Sequence, residues 1–234
     1  MRRFSPALIF TVLLWFSAST RAAVIHDESV NGDLSGDRFN PTTYSLSFGV
    51  NSLHATTSGT DLEYVTLIVP PGYQLASIVV VSYVSANGIA FIGVQSGTTF
   101  TEDPINPNVA NLLGWAHFGT DFGSVGQDIL DDMGMGFGAI GFTPPLPAGP
   151  YTYWIQQFDF DPTTYQLDFS VALAPNAPGD LSHDGVVNGA DVPLFVGVLL
   201  GLDHDPARVA AADVNHSGGI DGADIAPFIA LLIP

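Results

Sequence analysis

One twelve-residue pattern occurs twice near the C-terminus, 33 residues apart and in register. The first copy runs Asp180-Leu-Ser182-His-Asp184-Gly185-Val-Val-Asn188-Gly-Ala-Asp191. The second runs Asp213-Val-Asn215-His-Ser217-Gly218-Gly-Ile-Asp221-Gly-Ala-Asp224. Downstream, Phe195 and Leu199 are answered by Phe228 and Leu232. A repeat at this period is one supersecondary unit used twice. Both copies offer oxygen donors at positions 1, 3, 5, 7, 9 and 12, the set that a hard cation with six to eight oxygen ligands requires.

The spacing resembles the calcium loop of the EF-hand. It assigns Asp180, Ser182, Asp184, the Val186 carbonyl, Asn188 (directly or through water) and Asp191 as ligands in the first loop. In the second they are Asp213, Asn215, Ser217, the Gly219 carbonyl, Asp221 and Asp224, so the pattern predicts two bound Ca2+. Position 6, where the loop turns sharply with positive φ, is glycine both times, Gly185 and Gly218. Aspartate replaces the usual glutamate at position 12 and is one methylene shorter, which draws the following helix closer to the ion. Serine at position 3 (Ser182) and at position 5 (Ser217) weakens each loop somewhat. Solvated Asp/Asn/Gly turns are the alternative for one loop; two in register, each followed by an apolar helical stretch, favour calcium.

Those stretches decide the kind of module. Val192, Phe195, Val196, Leu199 and Leu200 fall at helical spacing, as do Ile225, Phe228, Ile229, Leu231 and Leu232. Pro193 and Pro227 lie in first turns, where a missing N–H does no harm. Neither loop has an entering helix, because Pro175, Pro178 and Gly179 break the chain before Asp180. Over Gly179–Pro234 this resembles the dockerin type I module, with Arg208–Ala212 as the short connecting helix. The resemblance implies docking onto a cohesin-like extracellular partner, often within polysaccharide-degrading assemblies. It also implies partner contacts at loop positions 10 and 11, here Gly189, Ala190, Gly222 and Ala223, small and apolar rather than hydroxylated. Gly197 and Ala230 stand where the family often carries Lys or Arg.

At the other end, Arg2 and Arg3 precede an apolar run from Ala7 to Phe16, then small residues up to Ala22. This is the pattern of a secretory signal peptide over residues 1–22, too short for a membrane span. Once it is removed, the expected location is secreted or cell-surface, with no membrane insertion. There is no cysteine and hence neither a disulfide framework nor a thiolate metal site. Lysine is absent, and beyond residue 22 only Arg38 and Arg208 face 23 acids. Such a field repels nucleic acid and anionic membranes and favours divalent cations. With 47% hydrophobic and 11% aromatic residues the chain can form a core.

Residues 23–174 read as one β domain, followed by a short linker at 175–178 and the repeat module at 179–234. Tyr165, Leu167, Phe169, Val171 and Leu173 alternate with polar or small neighbours, a half-buried strand. Tyr151–Phe158 alternates too and is expected to join it as a hairpin. Further candidates are Tyr44–Val50, Tyr64–Val69, Ser77–Val84, Ile89–Gln95, Leu112–Phe118 and Gly136–Phe142. About eight short strands predict an antiparallel sandwich of jelly-roll or Greek-key type ahead of a small all-α calcium domain. Asp61…Tyr64-Val-Thr-Leu-Ile-Val69-Pro-Pro-Gly72-Tyr-Gln-Leu75 resembles the start of bacterial pre-peptidase C-terminal-like sandwiches. That resemblance implies a secreted module without catalysis of its own.

No catalytic constellation stands out. Glu63 and Glu102 are the candidates for a glycosidase acid/base pair, but they read as solvated carboxylates. His26, His54 and His117 lack zinc spacing; His183 and His216, at loop position 4, read as surface residues. Asp128, Asp131 and Asp132 would share a helical face that could hold a further cation. Trp115, Tyr151, Tyr153 and Trp154 could form a sugar-stacking platform, with core packing as the default. Three functions compete: a non-catalytic docking protein, a component of polysaccharide breakdown attached through its dockerin, and a structural surface protein.

Overall fold

The computed structural model describes residues 22–174, 178–184 and 187–232, so the predicted signal peptide up to residue 21, most of the linker, Gly185, Val186, Ile233 and Pro234 lie outside the described residues. The described chain forms β1 (Ala23–Asp27), a one-turn helix α1 (Glu28–Asn31), β2 (Thr42–Ser45), β3 (Gly49–Thr57), β4 (Glu63–Val69), β5 (Tyr73–Val84), β6 (Ala90–Ser96) and β7 (Gly114–Phe118). It continues with α2 (Leu130–Gly134), β8 (Gly149–Gln157), β9 (Thr163–Leu173), α3 (Asp191–Leu199), α4 (Pro206–Ala212) and α5 (Ile225–Leu232). One sheet has the order β1-β3-β9-β5 and the other β2-β4-β8-β6-β7. The expected sandwich followed by a small helical region is what forms.

Period-2 alternation decides which side chains meet between the sheets. Tyr165, Leu167 and Phe169 of β9 face Leu67 of β4, Ile92 of β6 and Tyr153 and Ile155 of β8 in one core, each at most 1% exposed. The outward residues of the five-stranded sheet make a second cluster of Tyr64, Phe91, Phe100, Leu112 and Trp154. Phe100 and Leu112 belong to the segment between β6 and β7, which folds back over this face. That is why β4 and β6 are buried on both sides.

Four details of the sandwich differ from the expectation. The sheets are not wholly antiparallel: β1 runs parallel to β3, and β2 parallel to β4. The chain visits the second sheet between β1 and β3, so β3 returns in the same direction as β1. The stretch Tyr44–Val50 is two strands in different sheets. Asn51 makes the corner by accepting from Ser47 N–H at 2.9 Å and donating to Ser47 O at 2.8 Å. Segments β8 and β9 are not a hairpin, since each is an interior strand of a different sheet. Gly136–Phe142 is a string of turns: Gly138 and Gly141 have φ of +80° and +84°, and a Cβ at Gly136 would meet the Trp115 carbonyl oxygen at 2.6 Å.

The C-terminal helices share a core of Leu181, Phe195, Val198, Ala211, Ala212 and Phe228. The rings of Phe195 and Phe228, matching positions of the repeat, stack at 4.1 Å and 3°. The connecting helix starts before Arg208 because Asp205 caps it, accepting from Ala207 N–H and Arg208 N–H at 2.9 and 3.1 Å with Pro206 in the first turn. The first repeat rests on the sandwich. The Tyr73 hydroxyl donates to Asp205 at 3.5 Å, and a Cβ at Gly72 would meet His183 Nε2 at 2.7 Å. Among the described residues no helix is long and apolar enough to cross a membrane.

Candidate functional site

Each acidic loop is built around the aspartate at position 12. Asp191 starts α3, and Asp224 ends a 3-10 turn, Gly222–Asp224, that runs into α5. Both are fully buried. In the first loop Asp191 Oδ1 accepts from Ser182 N–H at 2.7 Å and Oδ2 from Asn188 N–H at 2.8 Å. In the second, Asp224 Oδ1 accepts from Asn215 N–H and Oδ2 from Asp221 N–H, both at 3.0 Å. Positions 3 and 9 are thus tied to position 12 in the same way twice, and the negative charge sits at a helix start, where the helix dipole favours it.

Position 1 is wrapped by backbone as well. Asp180 Oδ1 accepts from Asp184 N–H at 3.2 Å. Asp213 accepts from Ser217 N–H and Gly218 N–H, both at 2.9 Å. Position 9 caps the turn into the helix: Asn188 accepts from Ala190 N–H and Asp221 from Ala223 N–H, each at 2.7 Å. Gly218 has φ of +89°, as position 6 requires; the matching Gly185, and the Val186 carbonyl assigned as a ligand, lie outside the described residues.

These residues suit a hard divalent cation. Every side chain assigned as a ligand offers oxygen alone, and each carboxylate oxygen that accepts one N–H keeps a lone-pair direction for a metal. A buried carboxylate needs a counter-charge or a metal. The one arginine of this region, Arg208, is engaged 2.7 Å from Asp203. Calcium bound here would supply charge neutralisation and hold the two exiting helices in place.

His183 and His216, both at position 4, are among the described residues the non-glycine ones with positive φ, +59° and +56°. His216 is exposed, but His183 is not the surface residue expected: it is half-buried, with Nε2 enclosed against Gly72. Its repetition in register was the available signal; its burial was not readable, since it depends on a loop over a hundred residues away. Gly189, Ala190, Gly222 and Ala223 are all exposed, as a docking surface needs.

The sandwich candidates are mostly dispersed. Glu102 is taken up in its own loop, accepting from Asn108 N–H and Asn111 Nδ2, both at 2.8 Å. Glu63 is not a solvated carboxylate; it is fully buried, and the acids acting on it are Glu28, Asp61 and Asp33 rather than Glu102. Asp128 precedes α2 and braces β5, accepting from Ile78 N–H at 2.9 Å and Leu130 N–H at 3.0 Å, so it does not share a cation face with Asp131 and Asp132. His26 bonds Tyr44 and is buried, while His54 lies 3.8 Å from Asp27. His117 sits among Phe91, Trp115, Phe122 and Phe158, where burial lowers its pKa.

The aromatic platform divides by strand parity. Tyr151 and Tyr153 point into the core, whereas Trp115 and Trp154 join Phe91 on the outer face. There a cavity of about 300 Å³ is lined by Phe91, Leu112, Trp115, His117, Trp154 and Phe158.

Residues 178–232 match the family model of the dockerin type I domain, and the C-terminal region is a domain of that kind. No finding extends the pre-peptidase C-terminal-like resemblance to the sandwich. No curated protein matches the chain. A crystal structure of Aeromonas hydrophila PliG, a periplasmic lysozyme inhibitor of g-type lysozyme, aligns at 16% identity over 56% of this chain and 96% of its own, with a TM-score of 0.31. At that score the likeness carries no argument.

Proposed function

We propose that this is a secreted, non-catalytic protein whose dockerin domain binds two calcium ions and docks the β-sandwich onto a cohesin-like extracellular partner. The observation that carries the reading is the repeated brace at Asp191 and Asp224, within a region matching the dockerin family model. Two equivalent loops hold two helices whose outer faces stay apolar: Val192, Val196 and Leu200 of the first repeat and Ile225, Ile229 and Leu231 of the second are 39–65% exposed. Such a face is a contact surface. With Arg208 already paired, binding rests on apolar contact and changes little with salt.

Capture of a cohesin domain by the chain from Val24 onward, in calcium and then in chelator, tests this. Capture in calcium, its loss in chelator, and its loss in the double variant Ala190→Arg/Ala223→Arg with calcium affinity intact are expected. Undiminished capture by that variant, or capture by residues 24–174 alone, excludes docking through the repeats.

A second reading gives the sandwich a ligand. The aromatic cavity beside Trp115 would suit a sugar ring stacked on an indole or phenyl face. Retardation by soluble polysaccharides in affinity electrophoresis, abolished by Trp115→Ala, would support it. Release of reducing sugar would instead place the chain among the enzymes that dockerins tether.

A further inference from the structure

Three acidic side chains far apart from the loops converge at one end of the sandwich. Oxygens of Glu28, Asp33 and Glu63 lie within 4.8 Å of one another. Neither calcium loop draws three of its described carboxylates that close. The three are pinned independently. Glu28 opens α1, and its Oε2 accepts from Thr56 N–H of β3 at 2.7 Å. Gly32, with φ of +81°, ends that turn and sends the chain back past the cluster. The Asp33 segment is then held beside β4 by Tyr64 N–H, which donates to Ser35 O at 2.8 Å. Glu63 is the first residue of β4.

The cluster is unsatisfied as it stands. Glu63 is fully buried, and neither of its oxygens has a hydrogen-bond partner; Glu28 Oε1 is buried without one as well. The Tyr165 hydroxyl, in a side chain only 1% exposed, also lacks a partner, and Glu63 is the charge it senses most strongly. A buried polar group left unpaired is costly and calls for an explanation, an ion among them. Among the described residues no basic side chain neutralises the group. Arg38 donates to Thr101 O and covers Phe39, Arg208 pairs with Asp203, and burial lowers the pKa of His26. Burial and mutual repulsion push Glu63 up to about 9 and Glu28 up to about 7.

We infer that Glu28, Asp33 and Glu63 form a third divalent-cation site, of calcium size, which clamps the two sheets of the sandwich together. The kind of ion follows from the donors. Calcium takes six to eight oxygens in a flexible shell, which carboxylates from separate segments together with water can supply, whereas magnesium demands bonds near 2.0 Å in a strict octahedron. Burial falls from Glu63 through Glu28 to exposed Asp33, which leaves a way in from solvent and room for water to complete the shell. Glu28 is bonded to the four-stranded sheet and Glu63 belongs to the five-stranded one, so the ion would join them.

The test separates this site from the loops. Of the three tryptophans, Trp115 and Trp154 lie in the sandwich and Trp15 falls in the predicted signal peptide, so fluorescence of the chain from Val24 reports sandwich melting alone. In that chain carrying Asp191→Ala and Asp224→Ala, equilibrium dialysis should find one bound calcium, and the fluorescence Tm should rise by roughly 5 °C between chelator and excess calcium. Asp33→Asn, at an exposed position, should weaken that calcium at least tenfold. Glu63→Gln should abolish it, and in chelator should melt above its parent, because a neutral amide replaces a buried acid. Retention of no calcium by the loop-disabled chain, or an unchanged calcium response in Asp33→Asn, overturns the proposal. If Glu63→Gln fails to fold, Asp33→Asn decides. If the loops bind nothing, the unaltered chain still takes up one ion, so the two readings fail separately.

Discussion

Asp191 and Asp224 are buried as completely as Glu63, but the three sit in different company. Both oxygens of each aspartate accept a backbone N–H from within their own twelve residues, while Glu63 accepts none. A loop that bends around its own acid brings N–H donors with it. A cluster assembled from α1, the turn after it and β4 brings mainly more carboxylates, with the Thr56 N–H serving Glu28. The loops can therefore hold their shape partly through hydrogen bonds and spread their acids, whereas the sandwich cluster is gathered tightly and leaves Glu63 with no hydrogen bond to offset its charge. Motif and tight packing of charge are separate properties, and the tighter cluster is the one without a motif.

Removal of calcium should produce the largest effect and break the comparison if it is wrong. Two loop sites, each held at about a hundred times Kd, together stabilise the small C-terminal core by about 5 kcal/mol, comparable to its whole expected stability. Calorimetry of the chain from Val24 should show the helical transition vanish in chelator while the sandwich transition survives at lower temperature. A single transition unmoved by chelator would mean that the loops are turns and nothing more.

Loss of one position-12 carboxylate comes next. Asp191→Ala should abolish the first site and strand the Ser182 and Asn188 N–H groups, a loss of roughly 3 kcal/mol or more, at least about a hundredfold in affinity. Asp224→Ala should do the same for the second. Titration calorimetry that finds wild-type stoichiometry and affinity in either variant would refute the ligand assignment. The smallest change sharpens the picture. Ser182→Asp adds a charged oxygen at position 3 and should tighten the first loop a few-fold, about 1 kcal/mol. A weaker site in that variant would show that position 3 serves through its N–H, already bonded to Asp191, and not through its side chain.

What the sequence determined by itself lies within short stretches. The loops, the turn at Gly218, the exiting helices and the inward row Tyr165, Leu167, Phe169 all follow from contacts a few residues apart, where glycine placement, caps and the periods of 2 and 3.6 act. The same parity already separates Tyr151 and Tyr153 from Trp154 and could have divided the aromatic platform. Only the tertiary structure decided the rest. It put β8 and β9 in different sheets, ran β1 and β2 parallel to their neighbours, seated His183 against Gly72 and buried Glu63 beside Glu28 and Asp33. Each of these outcomes depends on which distant segment wins a shared surface. Strand pairing and burial are settled by total apolar area removed from water and by chain crossovers, and neither leaves a periodic trace in the residues concerned.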